Sequence, residues 1–218
     1  LGSGGDLLES AKRRLTLSSR QEFQLTQEVN LSREHARGSM VYATGEAGPL
    51  WRVTQGLVAL QTSTAAAGRL VQLAVAGDLL GIESLCEQPY ALEARALTAC
   101  RLERVEPQSE SDLSMLMREA LLQQHDRSID MAELRTGAVS DRLSQMLQLL
   151  GHDWLELSAA SQSKIEAVRR DLPVLSDLAS AIDAKKETVC RVLGRLLPRN
   201  RPRRATVADF LPGTRLTA

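Results

Sequence analysis

Aromatic residues are scarce in this chain, two each of Trp, Tyr and Phe or 3% of 218 residues, so aliphatic side chains must fill the core. Cysteine is scarce too. Cys86, Cys100 and Cys190 are widely separated and odd in number. They form no C-x-x-C pair, which argues against a zinc or dithiol redox centre and points to reduced thiols. No apolar run approaches the roughly 20 residues of a membrane span. The opening Leu1-Gly2-Ser3-Gly4-Gly5 lacks the basic-then-apolar order of a secretory leader, so the expected location is cytoplasmic, with no membrane partner. The marks of catalysis are missing as well: no paired carboxylates, His-Glu-x-x-His, nucleophile elbow or phosphate-binding glycine loop. The expectation is a protein that is not an enzyme and holds no metal or cofactor.

What is present is ordinary in amount and uneven in distribution. Hydrophobic residues make up 43% and charged residues 25%, the proportions of a folded chain rather than a disordered one. Net charge is zero, yet Lys164 to Arg204 holds eleven Lys/Arg against five Asp/Glu. That surplus of six positive charges leaves the remainder acidic by six, as expected if one end of the chain meets phosphates.

Texture divides the chain into three. Residues 6–35 contain amphipathic stretches such as Leu7 to Leu15 that suit short helices. From Gly38 to Val105, short runs bounded by glycine (Met40–Tyr42, Leu50–Val53, Leu57–Leu60, Leu70–Val75, Ala99–Leu102) predict a β-rich domain, with Thr64–Gly68 as a hairpin loop. From Ser111 the pattern is helical. Met117, Leu121, Gln124, Ser128 and Met131 recur at intervals of 4, 3, 4 and 3 along one stripe, the spacing of a coiled-coil seam. Gln124 and Ser128 are polar in mid-seam, and either fix the register of a dimer or face a ligand near its axis. Glycine at Thr136-Gly137-Ala138 marks a hinge before helix resumes at Val139 to Leu150. The division is a sensor domain over residues 1–110, a dimerisation helix over 111–137 and an effector domain over 138–218.

The segment Leu172 to Leu196 reads as helix, tight turn, helix. Leu175, Leu178, Ala179 and Ile182 line one face of the first helix; Val189, Val192, Leu193 and Leu196 line one face of the second. Lys185, Lys186, Glu187, Thr188 and Arg191 stay outside, at the N-terminal end where a recognition helix meets base edges. The string Glu187-Thr188-Val189-x-Arg191-x-Leu193 resembles the recognition helix of the Crp/Fnr regulators. Upstream, Gly45-Glu46, Leu50-x-x-Val53-x-x-Gly56-x-Val58-x-Leu60, Gly77-Asp78-Leu79-Leu80-Gly81 and Ala96-Leu97-Thr98-Ala99-Cys100 resemble that family's cyclic-nucleotide-binding-like β-roll.

The resemblance implies an α+β fold: an N-terminal double-stranded, jelly-roll-like β-roll, a long dimerisation helix and a C-terminal winged helix-turn-helix. It further implies a homodimeric transcription regulator that reads a palindromic site in double-stranded DNA, with RNA polymerase as a further partner. Glu187 and Arg191 would read bases, Lys186 a base or phosphate and Thr188 a phosphate, with Lys185, Arg195 and Ser176 completing the DNA-facing set. An effector pocket would lie around Gly77, Asp78, Leu79, Gly81, Tyr90 and Arg95, closed by Gln124 and Ser128.

Three departures qualify the resemblance. Asp183 stands where the family has glycine in the helix-turn-helix turn, and aspartate tolerates the left-handed conformation better than most residues. The stretch Gln88 to Ala94 lacks the Arg-Ser pair that holds a cyclic phosphate, so cyclic AMP is not the expected effector; another effector, or constitutive activity with the pocket filled by the chain's own side chains, is. Finally, Pro198 to Arg204 reads as a basic wing gripping phosphates. The alternative is a ligand-binding or protein-interaction module that does not read DNA.

Overall fold

Alternation along the strands decides which side chains enter the core. The computed structural model describes residues 32–63, 68–153, 156–157 and 159–198. Eight strands, β1 (Ser32–His35), β2 (Met40–Tyr42), β3 (Leu50–Gln55), β4 (Val58–Thr62), β5 (Arg69–Ala74), β6 (Leu79–Leu80), β7 (Glu93–Ala96) and β8 (Cys100–Val105), form two antiparallel sheets ordered β1-β8-β3-β6 and β2-β7-β4-β5. The inner faces share a core of Tyr42, Trp51, Val53, Val58, Leu60, Ala74, Leu80, Tyr90, Ala94, Ala96, Cys100 and Leu102. On β7, for instance, Ala94 and Ala96 are buried while Arg95 between them turns outward. This is the jelly-roll-like β-roll expected from the sequence. Ser32–His35 is a correction to the reading of residues 6–35 as helical: it pairs with β8, whose outer edge would otherwise leave backbone groups unpaired. Residues 1–31, and residues 64–67 of the expected hairpin loop, lie outside the described residues.

Helix α1 (Glu110–Glu133) follows the roll. Its start is fixed by Ser109, whose Oγ accepts from the Asp112 amide at 3.1 Å, while the Asp112 carboxylate accepts from the Gln108 amide at 3.1 Å. Glu110 and Asp112 add negative charge at the positive end of the helix dipole. Gly137, with φ +87°, sits at the expected hinge, and α2 (Val139–Leu149) begins just beyond it. Then come α3 (Gln162–Asp171), α4 (Leu175–Ala181) and α5 (Lys186–Leu196). A second core joins the outer face of β4 and β5 (Leu57, Ala59, Leu70, Leu73) to the end of α1 (Met131, Leu134) and to α2, α4 and α5 through Leu143, Met146, Leu147, Leu178, Ile182 and Val189. The C-terminal helices are thus packed on the roll. Among the described residues no helix is long and apolar enough to cross a membrane.

Candidate functional site

Helix α5 is amphipathic, with one buried and one exposed face. Val189 is fully buried, Val192, Leu193 and Leu196 pack against the core, and Lys186, Glu187, Cys190, Arg191 and Arg195 are exposed. Residues 187, 191 and 195 recur every four positions, so their side chains form one outward ridge. Lys185, at the N-cap position, is exposed; Thr188 of α5 and Ser176 of α4 are half-buried. The turn before α5 carries the left-handed residue expected: Asp183 has φ +46°. Arg142 of α2 steadies it, its Nη1 donating to the carbonyls of Ile182 at 2.6 Å and Asp183 at 3.1 Å. Those two carbonyls belong to the helix end and turn, where backbone acceptors have no helical partner. The basic wing expected over Pro198 to Arg204 lies, apart from Pro198, outside the described residues.

The region around Gly77 to Gly81 is occupied by the protein's own groups. Gly77 (φ +100°) makes the turn, and Asp78 accepts from the Val75 amide at 2.8 Å. Arg127 of α1 grips the same carboxylate through Nε at 2.7 Å and Nη2 at 3.0 Å, and also pairs with Asp130. Buried Leu79 exchanges both backbone hydrogen bonds with a side-chain amide: its N–H donates to Gln123 Oε1 at 2.6 Å and its carbonyl accepts from Gln123 Nε2 at 2.9 Å. Arg52 extends the row, bonding both oxygens of Glu119 at 2.5 and 3.0 Å and the Gly77 carbonyl at 2.9 Å. Glu119, Gln123 and Arg127 sit at four-residue spacing and form a polar stripe on the face opposite the seam. Sequence reasoning passed them over because it looked for apolar periodicity. The repeat of hydrogen-bonding side chains at 119, 123 and 127 was the available signal.

Inside the roll, Tyr90 stacks on Tyr42 with ring centroids 3.8 Å apart, and its hydroxyl donates to the Pro49 carbonyl at 2.7 Å. The ring fills the space over two glycines: a Cβ on Gly48 would fall 2.2 Å from the Tyr90 hydroxyl, and one on Gly81 would fall 2.3 Å from its Cε1. Burial pushes the Tyr42 phenol far above its ordinary pKa and raises the Cys100 thiol, so both stay protonated and neither is a poised nucleophile.

Two expectations are corrected. Arg95 does not face the interior: it points outward from β7 and pairs with Asp177 of α4 at 3.1 Å, because strand alternation gives the interior to Ala94 and Ala96. Met131 is not on the exposed seam but 6% exposed and in the core, as the helix has turned it toward the roll and α2. Met117 and Leu121 are exposed, at 40% and 72%, Ser128 is exposed and Gln124 half-buried. The hydrogen bonds to Asp78 and Leu79 come from Arg127 and Gln123, not from Gln124 or Ser128.

No protein-family model matches the chain, and no curated protein matches it by sequence. Solved structures do match by shape. A CRP-family transcriptional regulator from Thermus thermophilus superposes with a TM-score of 0.54 at 23% identity, over 75% of this chain and 83% of that one. FixK2 from Bradyrhizobium japonicum superposes with a TM-score of 0.52 at 16% identity, over 76% of this chain and 83% of that one. The fold is that of the CRP-family regulators. At these coverages the match extends beyond the β-roll into the helices that follow it.

Proposed function

We propose that this protein is a homodimeric, sequence-specific DNA-binding transcription regulator whose activity does not depend on cyclic AMP. The observation that carries the reading is the outward ridge of α5, where Lys186, Glu187, Arg191 and Arg195 stand exposed above a well-packed helix-turn-helix. Arginine offers a bidentate fork to guanine and glutamate accepts from cytosine N4, so the ridge has the chemistry of base readout. A single helix reads few base pairs, and the exposed Met117 and Leu121 on α1 supply an apolar stripe for a second copy, which favours a two-fold dimer on a palindromic site. RNA polymerase is the partner such a regulator would address.

Independence from cyclic AMP rests on the filled roll and on the bonds between Asp78 and Arg127 and between Leu79 and Gln123. These already join roll to helix, leaving control to a different effector or to the level of the protein itself. The test is selection from a duplex DNA library at fixed salt, with and without cyclic AMP. The expected result is one enriched palindrome, unaffected by cyclic AMP and lost or weakened by about 1–3 kcal/mol in Arg191→Ala. Absence of enrichment would favour an interaction module that does not read DNA.

A further inference from the structure

The helix-turn-helix is tied to the β-roll by charge as well as by apolar packing. Arg95 Nη2 on β7 meets Asp177 Oδ1 on α4 at 3.1 Å. A second tie comes from Arg37, in the turn between β1 and β2, whose Nη2 donates to the Arg170 carbonyl at 2.9 Å. Arg170 is in the last turn of α3, whose carbonyls lack helical partners, so a cation there satisfies an acceptor and the helix dipole together. The Arg95–Asp177 pair is the more demanding of the two. The Asp177 side chain is only 14% exposed, and a carboxylate so far out of water needs a counter-charge. Its counter-charge comes from the other domain.

Asp177 follows Ser176 in the first turn of α4, and α4 leads directly through the Asp183 turn into α5. Fixing Asp177 therefore fixes the reading helix relative to the roll. The ridge of α5 remains open to solvent in this docked arrangement, so docking does not cover the surface that would meet DNA. In a two-fold dimer the separation of the two reading helices depends on where each sits on its own roll, and that separation must match the half-site spacing, about one helical turn of DNA.

Resting on the regulator reading above, we infer that Arg95 and Asp177 are positioning residues for DNA recognition: their interdomain ion pair sets the half-site spacing that the dimer accepts. Neither residue contacts a base. The full-length chain, Arg95→Ala, Asp177→Asn and the swapped pair Arg95→Asp with Asp177→Arg are titrated against the palindrome selected by the unaltered protein and against versions with the spacer one base pair longer or shorter. Both single variants lose about three- to tenfold in affinity at the selected spacing and discriminate less among spacers, and the swap restores discrimination.

Were Arg95 merely to mask a carboxylate that repels phosphates, Asp177→Asn would bind as tightly as the parent or more tightly, and the inference falls. It falls equally if both single variants bind more tightly, because the docked state would then be inhibitory. A second readout needs no DNA: spin labels on the exposed native Cys86 and Cys190, diluted with unlabelled chain, report one roll-to-helix distance, which broadens in the single variants and narrows again in the swap. An unchanged distance overturns the lock. If the unaltered protein selects no duplex, the regulator reading has failed and the spacing role with it; selection with spacing discrimination intact in the single variants sinks the positioning role alone.

Discussion

Arg127, in the second half of the long helix, holds both carboxylate oxygens of Asp78, in the turn between β5 and β6, at 2.7 and 3.0 Å. The two side chains are 18% and 8% exposed, so this is a nearly buried bidentate pair joining elements 49 residues apart. Beside it Gln123 reproduces for Leu79 the pair of hydrogen bonds a neighbouring strand would give. Helix and roll consequently meet through fixed polar bonds at the place where the resemblance puts an effector. Arg127→Ala leaves Asp78 buried without its partner and is expected to cost about 2–4 kcal/mol in urea unfolding. The double variant with Asp78→Ala should cost much less than the sum of the two singles, as a double-mutant cycle on one pair requires.

Tyr90 makes a second prediction. Because a Cβ on Gly48 would overlap the Tyr90 hydroxyl, Gly48→Ala should destabilise by about 1–3 kcal/mol through overpacking. Tyr90→Ala should cost about 3–5 kcal/mol by opening a cavity, and Gly48→Ala in that background should cost little. Titration calorimetry should detect no cyclic AMP binding to the parent or to Tyr90→Ala, since emptying the space supplies no cation for the phosphate.

The exposed and buried sides of α1 are separable by mutation. Leu121→Glu places like charges across the proposed two-fold seam and should convert a dimer to a monomer in light scattering, with the fold intact by circular dichroism. Met131→Ala, in the core, should lower stability by about 2–5 kcal/mol and leave the mass of the assembly unchanged.

His152, beyond the end of α2, gives a pH dependence. Burial holds its imidazole below the usual value, with Lys164 adding to the effect and Asp171 opposing it. A base that is depressed when folded binds its proton more readily unfolded, so stability from this residue is fully present above about pH 6.5. It is lost as pH falls from there through the depressed folded value. Thermal unfolding from pH 7.5 to 5 should show this decline, and His152→Gln should reduce it, leaving the part due to His35, whose imidazole is also held below the usual value by burial.

Residues whose roles are local were legible in the chain. Glycine-bounded aliphatic runs mark strands at Met40–Tyr42 and at Leu57–Leu60, where the strand runs Val58–Thr62; the 3.6-residue periodicity of Leu175 to Leu196 marks two successive helices, and Asp183 suits the left-handed turn it occupies at φ +46°. Each of these follows from backbone preference or from the partition of apolar side chains over a few residues.

The rest depended on distant partners. Ser32–His35 is a strand only because β8 offers an edge, Met131 is core only because α2 closes over it, and Arg95 serves the helix-turn-helix only because Asp177 stands opposite. Nothing near residue 123 or 127 in the chain announces Leu79 or Asp78, which lie more than 40 residues away. Amino-acid order by itself determined the glycine-bounded strands of the roll, the long helix, the two helices between Leu175 and Leu196 and the outward chemistry of α5, since these rest on short-range preference and hydrophobic periodicity. Only the tertiary structure decided which polar groups meet, Leu79 with Gln123 and Asp78 with Arg127, because desolvated charges and amides take their partners from whatever the fold brings within about 3 Å.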